Sequence, residues 1–563
     1  TGQQDPFGLR VAYDPNWPQF HINAMKAMGF NAIRFFQAPG YRSQLELADE
    51  IGFLVYEEAR GGWLIDYAAG VYEQRRNNQI RALIQRDRNH PSVVMWGLLN
   101  ESPWWVGGES AEFEHARGAL PLIRSLDDTR MAMIGSGRWD CRLGTGSLSN
   151  PGSSTWDCLL GNETPGAAII TPECQPGGPP LPPPALPIAG YVGPMGDVHV
   201  YPRVPHSAEI MNFMRTVGSG TKNVFVSEYG IASAMDLVHL CDVYQQYGYT
   251  HLEYAKNLAA RRDRFMADWN KWNLAECFGQ PADYFHACLA GNSSQRLLGI
   301  NAFRSNPRLA GCSLTATVDT WTAGEGFITL FREVKPGMQE AVSDGFAPLR
   351  WCLFAEPSHL YRGAQVTLDV VLANEDVLAA GDYPVNIEVF DSHDARIASR
   401  QTTLHISTSP EPPLALPVYR ETIAADWPTG AYRLRASFAD STPAAGRDAL
   451  FYVTDAADMP PVPRDVVLWG EDAELASWLQ SKGISCHAFT GIPQAEPELI
   501  LVSRHPASPG GQAAFDDLMA RVEAGSMVLF LSPEVFASGS DPTAYVPLAS
   551  KGSPVDPFQT SFV

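Results

Sequence analysis

Short apolar runs alternate with helical patterns from the N-terminus to about residue 345. Runs of apolar residues bounded by turn residues predict strands. Eight such runs occur, at 9–12, 31–35, 53–57, 93–99, 130–134, 197–201, 223–228 and 311–318. Periodic patterns predict helices at 17–28, 43–51, 72–88 and 252–272. This alternation predicts an α/β fold whose first domain, residues 1–348, is a parallel (β/α)8 TIM barrel.

One segment of this predicted barrel, at about 136–196, is rich in Gly, Pro and Ser. A long loop without secondary structure inside a compact domain is uncommon and is usually functional or disordered. It follows a strand's C-terminal end, so we expect it to shape a cleft over the barrel's catalytic face. A decorative insertion is the alternative.

The pattern changes after the barrel. Alternating apolar and polar positions at 365–373, 385–390 and 431–438 predict an antiparallel β-sandwich over 349–457. A Pro-rich linker follows, and residues 464–563 then predict a small doubly wound α/β domain. We expect this last domain to be amidotransferase-like, non-catalytic and truncated, since its one cysteine, Cys486, lies within a strand and not at a strand–helix elbow.

The composition of the chain limits the kinds of partner that it is expected to bind. A net charge of −21 argues against nucleic-acid binding, because phosphates would repel the chain. No apolar run is long enough to span a membrane. Nine cysteines include Cys141, Cys158 and Cys174 in the irregular segment, where a disulfide and buried free thiols both stay open. The chain opens on Thr1 without a signal peptide, so we expect a processed product or fragment.

Two glutamates end predicted barrel strands. Glu101 follows the apolar run at 93–99, and Glu228 ends the run at 223–228. Carboxyl groups at the C-terminal ends of barrel strands are well placed for catalysis. Alternation predicts that Val224, Val226 and Glu228 share one face and point into the barrel. Two such carboxyls can protonate a leaving oxygen and attack an anomeric carbon, although a strand-end Glu can also be a salt-bridge partner.

Several segments together resemble glycoside hydrolase family 2, the β-galactosidase, β-glucuronidase and β-mannosidase group. The matching stretches are MKAMGFNAIRFFQAP (25–39), LADEIGFLVYEEA (47–59), RDRNHPSVVMWGLLNE (86–101), VFVSEYG (224–230) and TATVDTW (315–321). The resemblance implies a retaining mechanism with Glu101 as acid/base and Glu228 as nucleophile. Retention requires carboxyl groups about 5–5.5 Å apart.

The resemblance also implies substrate-binding roles for neighbouring residues. Arg34 matches the arginine that holds the nucleophile, and Tyr201 matches the tyrosine that donates to it. Asn100 would bond the sugar 2-hydroxyl, and Trp321 would lie under the ring. Further candidates are His199, Gln37, Glu58, Trp63, Trp104 and Trp105. Structural roles are the alternatives: a capping Asn100, a packed Tyr201 or Trp321, and an ion pair at Glu58.

Departures from the family pattern limit the expected specificity. Gln37 stands where the β-galactosidase branch has a histidine, and the ARGGWL stretch (59–64) lacks that branch's magnesium ligands. We therefore predict no metal and no cofactor. The Asn-x-Lys pair of the glucuronidase branch is absent from the expected region. The given sequence does not include the family's N-terminal domains, in line with the expected fragment or processed product.

The sequence thus predicts a retaining glycosidase that cleaves β-glycosidic bonds of oligo- or polysaccharides. A non-catalytic carbohydrate-binding scaffold and a transglycosidase stay open as alternatives. We expect a carbohydrate as the partner, with neither nucleic acid nor membrane. A homo-oligomer, or association with a missing N-terminal portion, is a further expectation. A secreted or periplasmic location is expected, and a cytoplasmic one is the alternative.

Overall fold

The computed structural model describes residues 16–59, 71–100, 118–136, 197–202, 204–217, 224–231, 233–319, 324–409, 413–458, 465–470, 472–491, 496–503 and 511–531, with short pieces at 116, 147–149 and 460. They belong to two units, Thr1–Thr454 with Asp556–Val563, and Asp455–Val555. The predicted boundaries near 348 and 457 stay predictions.

The first unit begins with parallel strands separated by helices. The strands are β1 (Ala32–Phe35), β2 (Leu54–Glu58), β3 (Val93–Asn100), β4 (Met131–Ser136), β5 (Ser147–Ser149), β6 (Asp197–Val200), β7 (Val224–Tyr229) and β8 (Leu309–Leu314). They pair in the orders β1-β2-β3-β4-β5 and β6-β7-β8, and all these pairs are parallel except β4–β5. Seven of the eight predicted strands therefore have a counterpart, and the one at 9–12 lies outside the described residues.

Helices alternate with these strands along the chain. They are α1 (Asn16–Ala27), α2 (Arg42–Ile51), α3 (Tyr72–Asp87), α4 (Leu120–Leu126), α5 (Ala208–Thr216), α6 (Leu237–Gln246), α7 (Glu253–Lys271), α8 (Ala275–Phe278), α9 (Pro281–Arg304) and α10 (Met338–Gly345). Local chemistry fixes their ends. Gly52 closes α2 with φ 67, a left-handed angle that glycine adopts without strain, and Pro281 occupies the first turn of α9.

Apolar residues form two layers around the strands. The larger cluster joins outward strand residues such as Val198, Val224 and Val226 to helix residues such as Met214 and Ile300. A smaller interior cluster contains Tyr56, Met95, Met131, Met133 and Phe225. A cavity of about 670 Å³ reaches from Arg34 and this interior cluster to β1 and β8. The edges of β1 and β8 that face away from β2 and β7 pair with no other described strand.

Antiparallel strands follow the barrel segment. They are β9 (Leu349–Glu356), β10 (His359–Tyr361), β11 (Gln365–Asn374), β12 (Gly381–Phe390), β13 (Arg396–Ile406), β14 (Ala415–Ala424), β15 (Gly430–Phe438) and β16 (Asp448–Thr454). They form sheets β10-β16-β15-β12-β13 and β14-β11-β9 around one apolar core, with β10–β16 the parallel exception. Ion pairs from Arg215 to Asp369 at 2.5 Å and from Arg304 to Glu375 at 2.9 Å join them to the barrel helices.

The second unit contains a parallel sheet. Its strands are β17 (Val466–Trp469), β18 (Cys486–Ala488), β19 (Leu499–Val502) and β20 (Met527–Phe530), in the order β18-β17-β19-β20, with helices α11 (Ala473–Ser481) and α12 (Gly511–Glu523). Cys486 lies within strand β18. No helix among the described residues is long and apolar enough to cross a membrane.

Candidate active site

Glu228 lies near the C-terminal end of β7, where a β-bulge turns it towards the interior. His199 of β6 pairs with Glu228 while Val198 pairs with Val226, so Ser227 is the extra residue. Val224 and Val226 point outward into the helix layer, and Phe225 points inward. The prediction that both valines share a face with Glu228 is therefore wrong. Bulges often re-aim a side chain beside a functional site, and this one does so for Glu228.

Three side chains hold the Glu228 carboxylate. Arg34 Nη1 donates to Oε1 at 2.7 Å, and the Tyr201 hydroxyl donates to Oε2 in a short hydrogen bond. His199 Nδ1 lies 3.3 Å from the same Oε2. Glu228 is only 6% exposed. Arg34 comes from β1, and His199 and Tyr201 come from β6 and its C-terminal end, so two strands supply the partners of one carboxylate.

The ionisation of Glu228 follows from these partners. Burial raises the pKa of a carboxyl, because it disfavours the charged form. The charges of His199 and Arg34 and the hydrogen bond from Tyr201 outweigh burial, so that the pKa of Glu228 is lowered below its ordinary value. The group is therefore a carboxylate at neutral pH and is buried with its negative charge intact. This is the state that a nucleophilic carboxylate requires.

Arg34 joins Glu228 to two other predicted site residues. Its Nε donates to Glu58 Oε1 at 2.7 Å, and its Nη2 donates to Asn100 Oδ1 at 2.5 Å. Burial alone would lower the pKa of Arg34, but the neighbouring charges, Glu58 and Glu228 among them, raise it well above its ordinary value. The guanidinium therefore stays charged and fixes both carboxylates and the end of β3, from which Glu101 follows.

The Glu58 carboxylate is bonded by the backbone of Gln37. The Gln37 amide, in a residue with φ 53, donates to Glu58 Oε2 at 2.8 Å. Glu58 is 1% exposed, so both of its oxygens have donors and little contact with solvent. The structure thus places Glu58 as the ion-pair partner of Arg34, the structural alternative considered from the sequence.

Two glycines allow the site side chains to approach the strands closely. A Cβ on Gly97 would collide with Glu58 and with the ring of Tyr56. A Cβ on Gly230 would collide with the ring of Tyr201 and with the Glu325 carboxylate. Any other residue at these two positions would displace a side chain that bonds Arg34 or Glu228.

The predicted site residues divide into two groups. Arg34, Glu58, Asn100, His199, Tyr201 and Glu228 form one connected hydrogen-bonded set, to which Gln37 contributes its backbone. The others lie outside the described residues, as do the cysteines of the irregular segment: Glu101, Trp63, Trp104, Trp105, Trp321, Cys141, Cys158 and Cys174.

Two serines join the site without having been predicted. Ser136 Oγ lies 3.1 Å from His199 Nε2 and 3.0 Å from Ser227 Oγ. The predicted strand ended at Ile134, two residues short of Ser136, and strict alternation put Ser227 on the opposite face from Glu228. Extending β4 by two residues would have brought Ser136 level with Asn100, its neighbour in the register.

A buried ion pair anchors the chain after β8. Lys335 Nζ donates to Asp319 Oδ1 at 2.7 Å, to the Gly324 carbonyl at 2.8 Å and to Ser233 Oγ at 3.2 Å. Lys335 and Asp319 are each 2% exposed. The ammonium thus ties the residues on both sides of 320–323 to the segment that follows β7.

A carboxyl group whose pKa is raised, in contrast to that of Glu228, lies on the outer side of β2. Glu57 accepts from the Gly40 amide at 2.7 Å, while burial and the hydrogen bond and charge of Asp87 raise its pKa to about 9. Glu57 and Glu58 are adjacent in sequence yet lie in opposite layers, because side chains alternate along a strand. Within the described ranges, no three His, Cys, Asp or Glu side chains are grouped so as to hold a metal ion.

A parallel barrel segment with a partnered carboxylate near one strand end is the arrangement of a barrel enzyme site. The family model that matches residues 18–144 is the TIM barrel domain of glycosyl hydrolases family 2. The resemblance to this family is therefore confirmed over that part of the chain, which includes Arg34, Glu58, Asn100 and Glu101.

Curated relatives match short stretches of the chain. A putative β-glucuronidase from Formosa agariphila is 32% identical over 127 residues, 21% of this chain and 11% of its own length. A β-galactosidase from Bacteroides ovatus is 38% identical over 86 residues, 14% of this chain and 10% of its own. The rat β-glucuronidase is 28% identical over 134 residues, 23% of this chain and 20% of its own. The matches thus span a fifth or less of each relative.

Solved structures match a larger share of the chain at lower identity. A β-D-mannosidase from Dictyoglomus thermophilum is 15% identical with a TM-score of 0.49, and the match covers 78% of this chain and 48% of that one. An exo-chitosanase from Amycolatopsis orientalis is 10% identical with a TM-score of 0.47, covering 80% and 48%.

Proposed function

We propose that this chain is a glycosidase that hydrolyses β-glycosidic bonds of oligo- or polysaccharides with retention of anomeric configuration. The observation that carries the proposal is the Glu228 carboxylate, buried but ionised, and held by Arg34, His199 and Tyr201. The curated relatives bear the names of β-glucuronidases and β-galactosidases, which act on β-glycosides.

In the proposed reaction, one Glu228 oxygen attacks the anomeric carbon as the leaving oxygen departs with a proton from Glu101. The C–O bond to the leaving group breaks and a glycosyl ester to Glu228 forms. Glu101, now a carboxylate, then takes a proton from water, which attacks the same carbon and releases Glu228. Both displacements invert the carbon, so the configuration is retained.

Arg34, Tyr201 and Asn100 support particular steps of the proposed reaction. Arg34 bonds Oε1 of Glu228 and Tyr201 bonds Oε2, so both oxygens are oriented before the sugar arrives, which lowers the cost of reaching the transition state. Asn100 precedes Glu101 and bonds Arg34 through its Oδ1. Its amide nitrogen, an N–H donor, is the group that would meet the sugar 2-hydroxyl.

The test is hydrolysis of a panel of aryl β-glycosides by wild type, Glu228→Gln, Glu101→Gln and Glu333→Gln. Glu333 is a matched control, because it is a half-exposed barrel glutamate whose described partner is His239. We expect Glu101→Gln to lower kcat by about 10²–10⁴-fold on substrates with poor leaving groups. Glu228→Gln should lose more on every substrate, and the control should match wild type.

The mechanism is tested separately from activity. A 2-deoxy-2-fluoro glycoside should leave a sugar on the peptide that contains Glu228, and proton NMR should show the β-anomer as the first product. An inverted product would contradict the covalent step, and full activity of Glu228→Gln would overturn the assignment. Sugar binding without turnover would favour a scaffold, and transfer to an added acceptor sugar would favour a transglycosidase.

A further inference from the structure

The hydroxyls of Ser136 and Ser227 lie behind the imidazole of His199, on the side away from Glu228. The chain of contacts runs from Ser227 Oγ to Ser136 Oγ at 3.0 Å, on to His199 Nε2 at 3.1 Å, and from His199 Nδ1 to Glu228 Oε2 at 3.3 Å. Both serines are fully buried and His199 is nearly so. Ser227 points to the same side of β7 as Phe225 by ordinary alternation, and the bulge adds Glu228 to that side.

Counting hydrogens fixes the direction of these bonds. An ionised carboxylate only accepts hydrogen bonds, so the His199 nitrogen facing Glu228 must carry a hydrogen. In neutral His199 the other nitrogen, Nε2, then has a lone pair and needs a donor. Ser136 can supply that donor by turning towards Nε2 the hydrogen that it otherwise donates to Ser227 Oγ. In protonated His199, Nε2–H donates to Ser136, whose hydrogen turns to Ser227.

We propose that Ser136, backed by Ser227, is a positioning residue that holds His199 as the Nδ1–H tautomer donating to Glu228. A hydroxyl can reverse its role by rotating one hydrogen, so the pair serves both protonation states of the imidazole without moving a heavy atom. The opposite tautomer would set two lone pairs, of Nδ1 and of the carboxylate, against each other. The inference rests on the proposed role of Glu228 as nucleophile.

Ser136→Ala removes the donor and leaves the strands unchanged in shape. We expect kcat to fall about 3- to 10-fold, the size of one net hydrogen bond, with KM unchanged. The acid limb of kcat/KM should move to higher pH, because a disoriented His199 holds the Glu228 charge less well. Among the described residues, the other ionisable groups of this interior are Arg34 and Tyr201, which bond Glu228, and Asp197 on the inward face of β6. Glu58 and Tyr56 lie beside Arg34.

The controls separate positioning from general stability. Ser136→Cys keeps a weak donor and should recover part of the loss. Ser305→Ala removes a buried hydroxyl that bonds the Ala302 carbonyl at 2.7 Å elsewhere in the barrel, so it should lower stability without moving the pH profile. An unchanged pH profile in Ser136→Ala would overturn the proposal.

A direct measurement does not depend on turnover. In protein labelled with ¹⁵N-histidine, the His199 ring signals are assigned by their loss in His199→Asn. Above the pH at which the ring deprotonates, wild type should show a protonated Nδ1 and an unprotonated Nε2, and Ser136→Ala should show a mixture. A wild-type Nε2–H tautomer would overturn the inference. If wild type cleaves no glycoside, the proposed function fails, and the ¹⁵N pattern still decides the tautomer.

Discussion

Arg34→Met would remove the one guanidinium that serves Glu58, Glu228 and Asn100. Taking one partner from a buried ion pair costs about 3–5 kcal/mol, because a charge stays buried without compensation. Glu228 would keep Tyr201 and His199, whereas Glu58 would lose its cationic partner and keep the neutral backbone N–H of Gln37. Most of the loss in the free energy of unfolding should therefore come from Glu58.

A double variant tests this division. Arg34→Met/Glu58→Gln removes the stranded charge while keeping the side-chain shape, so it should unfold at a higher urea concentration than Arg34→Met alone. It should not recover activity, since Glu228 still lacks its cation. For both variants we expect kcat to fall by about 10²–10³-fold, the size seen when one preorganised electrostatic contact is lost.

The pH dependence provides a second readout. The lowered pKa of Glu228 adds stability that is present above its ordinary value of 4.5 and is lost as pH falls through the lowered value. Arg34→Met should shrink this contribution and move the acid limb of kcat/KM upwards. The assays are urea unfolding followed by tryptophan fluorescence at pH 7, and kinetics from pH 4 to 9. A wild-type unfolding midpoint for Arg34→Met, or a double variant no more stable than the single one, would refute the reasoning.

Three other substitutions test different parts of the structure. Gly230→Ala should push the Tyr201 ring away from Glu228, lowering kcat at least about 10-fold and stability by about 1–3 kcal/mol, measured by kinetics and urea unfolding. Lys335→Met should cost about 3–5 kcal/mol by stranding Asp319, and Lys335→Met/Asp319→Leu should recover part of it in the same unfolding assay. Because burial foremost raises the pKa of Glu57 to about 9, the folded state keeps a proton that the unfolded state loses above 4.5. Wild-type stability should therefore fall as pH rises between these values, and Glu57→Gln should flatten that fall when unfolding is compared at pH 5.5 and 8.5.

The glycine and lysine substitutions each have a matched control variant, and wild type is the reference for Glu57→Gln. Gly118→Ala meets no atom within 4 Å and should leave kcat unchanged. Arg400→Met breaks an exposed pair with Glu421 and should change stability by less than about 1 kcal/mol. Equal losses in Gly118→Ala and Gly230→Ala, or parallel pH–stability curves for wild type and Glu57→Gln, would contradict the structural reasons given.

The amino-acid pattern predicts the strands and much of the candidate site. Glu228 could be chosen because a carboxyl at the end of an apolar strand is unusual and lies at the catalytic end of a parallel barrel. Arg34, Asn100 and Tyr201 were predicted from the resemblance to the family. The bulge at Ser227 could not be predicted from the sequence, because an inserted residue leaves the apolar run continuous. The predicted side-chain direction was therefore wrong for Val224 and Val226, although Glu228 was predicted to point inward as it does.

Helices between β7 and β8 show another limit. One helix was predicted at 252–272, whereas the chain forms α6, α7, α8 and the 24-residue α9. Buried residues occur on many sides of α9, including Asn292, Ser293 and Arg296, so its sequence has little amphipathic period. The pairing of Lys335 with Asp319 also has no local pattern, because it depends on how two loops meet.

The glycines at 97, 230 and 299 have a practical consequence for laboratory evolution. Each lies under a larger side chain: Glu58 over Gly97, Tyr201 over Gly230 and Tyr229 over Gly299. Random libraries should tolerate almost no substitution at these three codons, whichever sugar is selected for. Diversity is better directed to positions other than these three glycines, so that the hydrogen bonds of Arg34 and Glu228 are kept.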